Sequence, residues 1–287
     1  MYRTGFRWTL KQCRNIHISL DVAQFDVTPF RCNVWAILLA TAPLFAQAPG
    51  PSAANSSEAA GQEREVSWKK LFPNFLDDQK HIWLFPAQVA RGYHLVPTAA
   101  VLGVSAALTV ADPIEGRYFR ANSETYHSFN KVFTGTTTTA EIFAVPIAFY
   151  LVGRVRKDSY AEHTALLSAQ AVADVEIPNV ILRTSTRRLR PADVPINGNF
   201  SDTWFDAGTN PLKAKGSFAS GHAASAFAVA TIVARRYSHR RWVPYVAYGA
   251  AGLLAFSRVS HEAHFLSDTF FGSAMGYAVG RFVVLRQ

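Results

Sequence analysis

Three short stretches in the second half of the chain hold the residue types that can do chemistry. The last is Ser257-Arg258-Val259-Ser260-His261-Glu262-Ala263-His264-Phe265-Leu266-Ser267-Asp268. His264 and Asp268 stand four apart, which on a helix puts them on one face. An Asp beside a His fixes the ring tautomer and stabilises the imidazolium, as a nucleophilic or acid–base imidazole requires. The middle stretch is Phe218-Ala219-Ser220-Gly221-His222, just before an apolar run. Ser220 and Gly221 read as cap residues of an ordinary helix start. The same free N–H groups, with a hydroxyl and His222, also make a phosphate cradle. The first stretch runs from Arg183 through Arg187, Arg188 and Arg190 to Pro191. Taken alone it reads as cations gathered at a helix C-terminus, where the dipole favours positive charge.

Other chemistries fit these residues less well. His261 and His264 are three apart, whereas a zinc-protease helix spaces its two histidines by four. Ser220 has no Gly-x-Ser-x-Gly elbow around it. Both cysteines, Cys13 and Cys32, fall in the first 32 residues, so the body of the chain has no thiol for a nucleophile, a disulfide or a zinc–thiolate site. The net charge of +9 favours anionic partners. Nucleic acid is disfavoured, because the arginines fall at helix ends between apolar runs rather than on one polar face with stacking aromatics.

The elements that must position these groups are helical. The chain has 287 residues, 49% hydrophobic and 17% charged, ample for a core and too apolar for disorder in its bulk. Ala-rich apolar segments recur at about 95–111, 133–153, 161–182, 222–236, 242–257 and 265–285, with no competing strand alternation. They predict an all-α, six-helix bundle core, with turns at Asp112-Pro113, Asn197-Gly198-Asn199 and Asn210-Pro211. Ahead of it, 67–92 mixes aromatic and charged residues and predicts short amphipathic pieces, at a membrane interface or in ordinary packing. Residues 49–66 have linker composition. Residues 34–45 are apolar and end near Ala46-Gln47-Ala48, so 1–48 reads as a signal peptide or N-terminal anchor.

Whether the bundle spans a membrane is balanced. A span wants about 20 apolar residues, and Glu141, Asp174, Glu176 and Asp268 interrupt most runs. Against that, basic clusters follow the second, fourth and sixth segments (Arg154, Arg156, Lys157; Arg235, Arg236, Arg240, Arg241; Arg281, Arg286), all on one face of a six-span bundle. A cleaved signal conflicts with that arrangement by parity. Either the N-terminal segment does not translocate, or one segment does not cross, or the bundle is soluble after export.

Arg183, then Arg190-Pro191 seven residues on, then Ser220-Gly221-His222, then Ser257-Arg258 with His264 and Asp268 six and ten beyond that Arg, resembles the three-part signature of the type 2 phosphatidic acid phosphatase superfamily. That superfamily includes lipid phosphate phosphatases, bacterial class A acid phosphatases and vanadium haloperoxidases. The resemblance covers roughly residues 93–285 and makes 93–287 a helical phosphatase domain. It implies His264 as nucleophile, Asp268 hydrogen-bonded to its other ring nitrogen and His222 as general acid and then base. It implies Arg183, Arg190, Ser220, Gly221 and Arg258 as phosphate binders, with no metal and no cofactor. It further implies lipid phosphates as favoured substrates and a bilayer as partner, while the export-like N-terminus and the one-sided basic clusters predict an envelope location with the active site facing outward. A soluble periplasmic acid phosphatase, a vanadium haloperoxidase and a non-catalytic membrane scaffold are the alternatives. Residues 192–219, with Asp202, Trp204, Phe205 and Asp206, are expected to wall the pocket, and His261 to play a supporting part. Two positions depart from the signature: Arg183 stands where a lysine is usual, exchanging a point cation for a planar fork, and Ala219 where proline is usual.

Overall fold

The computed structural model describes residues 64–207 and 216–286. The signal-like segment, most of the linker and the Asn210-Pro211 turn lie outside the described residues. Among the described residues eight α-helices follow one another: α1 (Leu71–Ala90), α2 (Leu95–Ala121), α3 (Ser123–Val132), α4 (Gly135–Arg156), α5 (Ser159–Thr186), α6 (Gly221–Arg236), α7 (Trp242–Ser260) and α8 (Leu266–Ala278). A 3-10 turn at Pro191–Asp193 interrupts the long α5–α6 connection, and Val279–Val284 extends α8 as a π-helical turn. There is no strand among the described residues.

The six expected segments are α2 and α4–α8, and the differences have local causes. Within 67–92, Leu71–Ala90 form one continuous helix, α1, rather than short pieces, with Pro86 inside it. α2 does not turn at Asp112-Pro113 but runs ten residues further, to Ala121. A proline inside a helix forfeits one backbone hydrogen bond, while the Asp112 carboxylate, which would favour a turn, is taken up by Ser267 and Arg188. α3 is amphipathic, but at ten residues and polar on average it does not stand out as an apolar segment. The turn at Asn197-Gly198-Asn199 is present, closed by Gly198 N–H on the Pro195 carbonyl at 2.8 Å.

Side chains set several helix starts by accepting first-turn amides. Thr134 caps α4, Asp158 caps α5 through Tyr160 and Ala161, and Ser220 caps α6 through Ala223. α6 is the central element, packed among α4, α5, α7 and α8. Its buried Ala223, Ala224, Ala228 and Ala230 let neighbours approach closely. Against it in α8, a Cβ on Gly276 would stand 2.0 Å from the Ala224 carbonyl, so no larger residue fits there. One apolar core joins α4, α5, α6 and α7 around Phe149, Val172, Val229, Val233 and Leu254. A second joins α5, α6 and the π turn around Leu167, Val175, Ile232 and Val279. A small third cluster, Val194, Phe200 and Phe265, seats the α5–α6 connection on the start of α8.

The helix directions give the bundle two chemically different ends. The C-termini of α5 and α7 and the N-termini of α6 and α8 meet at one end, which carries all three informative stretches. The C-termini of α4, α6 and the π turn lie at the other, with all three basic clusters. α2, α4 and the stretch Ser159–Asp193 are long and apolar enough, by length and composition, to cross a membrane. The apolar window of α2 is only 11% buried, leaving Leu102, Val110 and Ile114 exposed.

Candidate active site

The bundle end collects the expected residues from four helices. Arg183 comes from the last turn of α5 and Arg190 from just before the 3-10 turn. Ser220 caps α6 and His222 sits in its first turn, while Arg258 lies in the last turn of α7. His264 occupies the tight α7–α8 turn, whose backbone folds back so that the Ala263 and His264 amides both donate to the Arg258 carbonyl. That turn holds the arginine and the histidine in fixed relation.

His264 is buried, and its Nδ1 lies 2.7 Å from the Ser217 carbonyl oxygen. A carbonyl can only accept, so Nδ1 carries the proton and Nε2 keeps its lone pair. Burial first, then the charge of Arg190, holds the imidazole well below its ordinary value. Together these leave a neutral ring with a free Nε2, the form in which an imidazole is a nucleophile.

The expected Asp268–His264 hydrogen bond is not made. α8 begins at Leu266, so His264 precedes the helix and the four-residue spacing does not put the two on one helical face. As the third helical residue, Asp268 turns its carboxylate back onto the Phe265 amide at 2.9 Å. It also accepts from the Ser217 hydroxyl and from Arg188, whose Nη1 is 2.6 Å away. Asp268 thus holds Ser217, and Ser217 holds the ring.

Arg188 is the residue that reading the sequence missed. It is 1% exposed, bonded by its second terminal nitrogen to Asp112 at 2.6 Å and to Asp268 by the first. Its guanidinium lies between the rings of Phe265 and Trp204, 4.1 and 4.5 Å from their centroids. One buried cation therefore ties α2, the α5–α6 connection and α8 together directly beneath the histidine turn. Its only signal in the sequence was its place in a run of arginines, where it looks like any of them, and Asp112 looked like a turn residue.

Arg183 and Arg190 differ from Arg188 in making no side-chain hydrogen bond or ion pair among the described residues, although the charge of Glu176 acts on Arg183. The Nε of each is buried without a hydrogen bond, and both guanidinium charges act on His264. A buried, unsatisfied donor is costly, so two converging on one histidine describe a cradle for an anion. Arg258 is also buried, held by the Ser257 hydroxyl and the Phe133 carbonyl. The Ser220 hydroxyl and the first amides of α6, which have no intrahelical partner, border the same space. A Cβ on Gly221 would stand 2.5 Å from the Asn179 side-chain nitrogen, so a larger residue there would have to displace that buried side chain.

His222 has Thr139 Oγ1 3.2 Å from its Nε2. It lies outside the three long apolar helices. Burial first, then Arg258, lowers it to about 4, so without a bound anion it is neutral at neutral pH. His261 points away, its Nε2 2.8 Å from the Asn130 carbonyl. Of the expected pocket wall, Trp204 is half-buried against Phe218, whereas Asp202, Phe205 and Asp206 are exposed. A cavity of about 280 Å³ opens beside Trp204 and Arg188, between Phe200 and the α2 residues Thr109 and Pro113.

Comparison with known proteins places this arrangement. The model of the PAP2 superfamily matches residues 159–287. A lipid A 1-phosphatase of Porphyromonas gingivalis is 38% identical over 68 residues, 23% of this chain and only 15% of that relative's length. Among solved structures, the transmembrane PAP2-type phosphatidylglycerolphosphate phosphatase of Bacillus subtilis aligns at 19% identity with a TM-score of 0.36, covering 75% of this chain and 92% of that one. The family match takes in Arg183, Arg188, Arg190, Ser220, His222, Arg258, His264 and Asp268, and over residues 159–287 this chain is similar to the PAP2 superfamily, the type 2 phosphatidic acid phosphatases.

Proposed function

We propose that this chain is a metal-independent phosphatase for phosphate monoesters or pyrophosphates, with lipid phosphates its favoured substrates, working through a phosphohistidine. The observation that carries the reading is the pair of buried, partnerless guanidinium nitrogens of Arg183 and Arg190 beside a neutral His264 with a free Nε2.

Arg183, Arg190 and Arg258, with the Ser220 hydroxyl and the Gly221 amide, bind the three non-bridging phosphoryl oxygens and offset the charge that grows on them in the transition state. Nε2 of His264 attacks phosphorus as the bond to the leaving oxygen breaks. His222 gives that oxygen a proton, then takes one from a water whose oxygen displaces Nε2 from phosphorus. The incoming phosphate's negative charge lifts His222 from its depressed value and lets it carry the proton. Three arginines supply the positive charge that a metal would otherwise bring.

Lipid specificity and membrane placement rest on two supports. α2 and α4 expose apolar side chains over most of their length, including Val110, Ile114, Ile147 and Leu151, and a bilayer is the partner that such long apolar faces suit. The P. gingivalis relative is by its name a lipid A 1-phosphatase. In this reading the active end faces the outside of the cytoplasmic membrane. Phosphate release from a panel of lipid and soluble esters, by protein in detergent and without it, tests the proposal. Turnover of lipid phosphates in detergent, insensitive to chelator and blocked by vanadate, is expected. Preference for soluble esters without detergent identifies a soluble acid phosphatase, and loss in EDTA restored by a divalent cation overturns metal independence.

A further inference from the structure

We propose that the opposite end of the bundle holds a second anion site, which takes the phosphate of an anionic lipid headgroup. This does not rest on the phosphatase reading. A cavity of about 280 Å³ lies there, walled by Arg64, Arg235, Arg236, Arg281 and Arg286, with Leu167, Val284 and Leu285 as its apolar part. From His222 to Arg235 is thirteen residues of α6, roughly 20 Å at 1.5 Å per residue, so the cavity is separate from the candidate active site.

The acidic groups nearby are already engaged. Asp78 takes Arg64 and Arg286 at 2.7 Å each, and Asp77 takes Arg286. Arg235 donates to the Tyr277 hydroxyl at 3.2 Å and Arg281 lies 5.6 Å from the centre of the Phe282 ring. Neither meets a carboxylate among the described residues, so the wall keeps an excess of positive charge.

Helix-end cations are common because the C-terminal dipole favours them, and that accounts for Arg235 and Arg236. Arg64, from ahead of α1, and Arg286, from the last residues described, are drawn into the same cavity by Asp78 and Asp77, which leaves Arg235 and Arg281 as the cations of its wall that meet no carboxylate among the described residues. Cations from separate segments around a concave wall are the arrangement that binds a phosphate group. The apolar part, with Phe282 52% exposed beside it, selects a lipid over a free anion, since it gives the acyl chains a surface. Basic pockets between helices at a membrane face bind headgroups by this combination.

Native mass spectrometry of the full chain, released from micelles containing phosphatidylglycerol, phosphatidylcholine or inorganic phosphate, tests this. An Arg183→Ala/Arg190→Ala background removes the cradle at the other end. One phosphatidylglycerol should be retained per chain, and at least tenfold less after Arg235→Gln/Arg281→Gln. Equal retention of phosphatidylcholine, or no loss in the glutamine variant, overturns the proposal. Inorganic phosphate held as tightly as the lipid overturns the lipid assignment in favour of a soluble anion. Should the glutamine variant lose its helicity, Arg235→Lys/Arg281→Lys must retain the lipid, and retention by the unsubstituted chain must fall with rising salt. Salt-insensitive retention would refute the site.

Discussion

The two ends of this bundle are both rich in arginine, yet they use it in opposite ways. At the basic end the side chains meet solvent, carboxylates or a ring, and the cations lie on the rim of a cavity. At the active end Arg188 is saturated by two aspartates, while Arg183 and Arg190 are left with buried nitrogens that nothing among the described residues satisfies. Charge alone therefore does not mark a phosphoryl-transfer site. In the proposed mechanism the mark is unsatisfied charge beside a neutral imidazole, because there an incoming anion would be bound more strongly as its own charge grows.

The sharpest way to break that contrast is to remove the nucleophile. His264→Ala should abolish turnover, at least a thousandfold, whereas Arg241→Gln among the basic residues should change kcat/KM less than twofold. A trapped phosphoryl group on any residue but His264 would refute the assignment. Asp268→Asn should cost less than His264→Ala, since Asp268 acts through Ser217 rather than on the ring, and the loss should fall mainly on kcat.

Within the active end, Arg188 and Arg190 are two residues apart and should fail differently. Arg188→Ala leaves two buried carboxylates unpaired, a loss of about 3–5 kcal/mol of stability, read as a lower melting temperature in detergent. Arg190→Ala removes a guanidinium whose buried Nε has no hydrogen bond among the described residues, and should leave melting unchanged while raising KM. Equal melting of the two variants would mean that Arg188 is not structural.

This pair also shows what the sequence could and could not say. His222, His264, Arg183, Arg190 and Arg258 were legible because a linear spacing survives folding when each motif lies within one turn or helix end. The partner of His264 was not, because a four-residue spacing implies a contact only if both residues lie on one helix, and α8 starts two residues too late. Arg188 was hidden by its neighbours and Asp112 by a proline. Their pairing spans 76 residues and depends on how α2 seats against α8. The six main helices followed from apolar periodicity, but the continuity of α2 through Pro113 is a tertiary effect.

Acidity offers a smaller, graded test. Only the protonated form of His222 can serve as acid, and its fraction grows as pH falls toward its lowered value of about 4. For an alkyl phosphate, kcat/KM should rise about tenfold per pH unit on going down from 7 toward 5. An aryl phosphate with a good leaving group should show little of this slope, and equal slopes would remove His222 from the role of acid. Stability runs the other way. His222 and His264 are held below their unfolded values, so the unfolded chain binds protons first. The stability present above pH 6.5 should be lost as pH falls through 6.5 toward 4.

The last test alters neither rate nor stability and asks on which side of a membrane each end lies. The basic clusters at one end and the site at the other give the molecule a polarity that the positive-inside rule can read, with the arginine-rich end in the cytoplasm. Position 196, in the α5–α6 connection, is 94% exposed at the active end, and Ser238, just past α6, is exposed at the basic end. With Cys13 and Cys32 replaced by serine, Ile196→Cys and Ser238→Cys each carry a single thiol. In intact spheroplasts an impermeant maleimide should label position 196 and spare 238, and lysis should expose both. Labelling of both before lysis would mean that the bundle is soluble and exported. Labelling of 238 alone would put the phosphoryl chemistry in the cytoplasm, and the comparison between the two ends would then have to be redrawn with its sides exchanged.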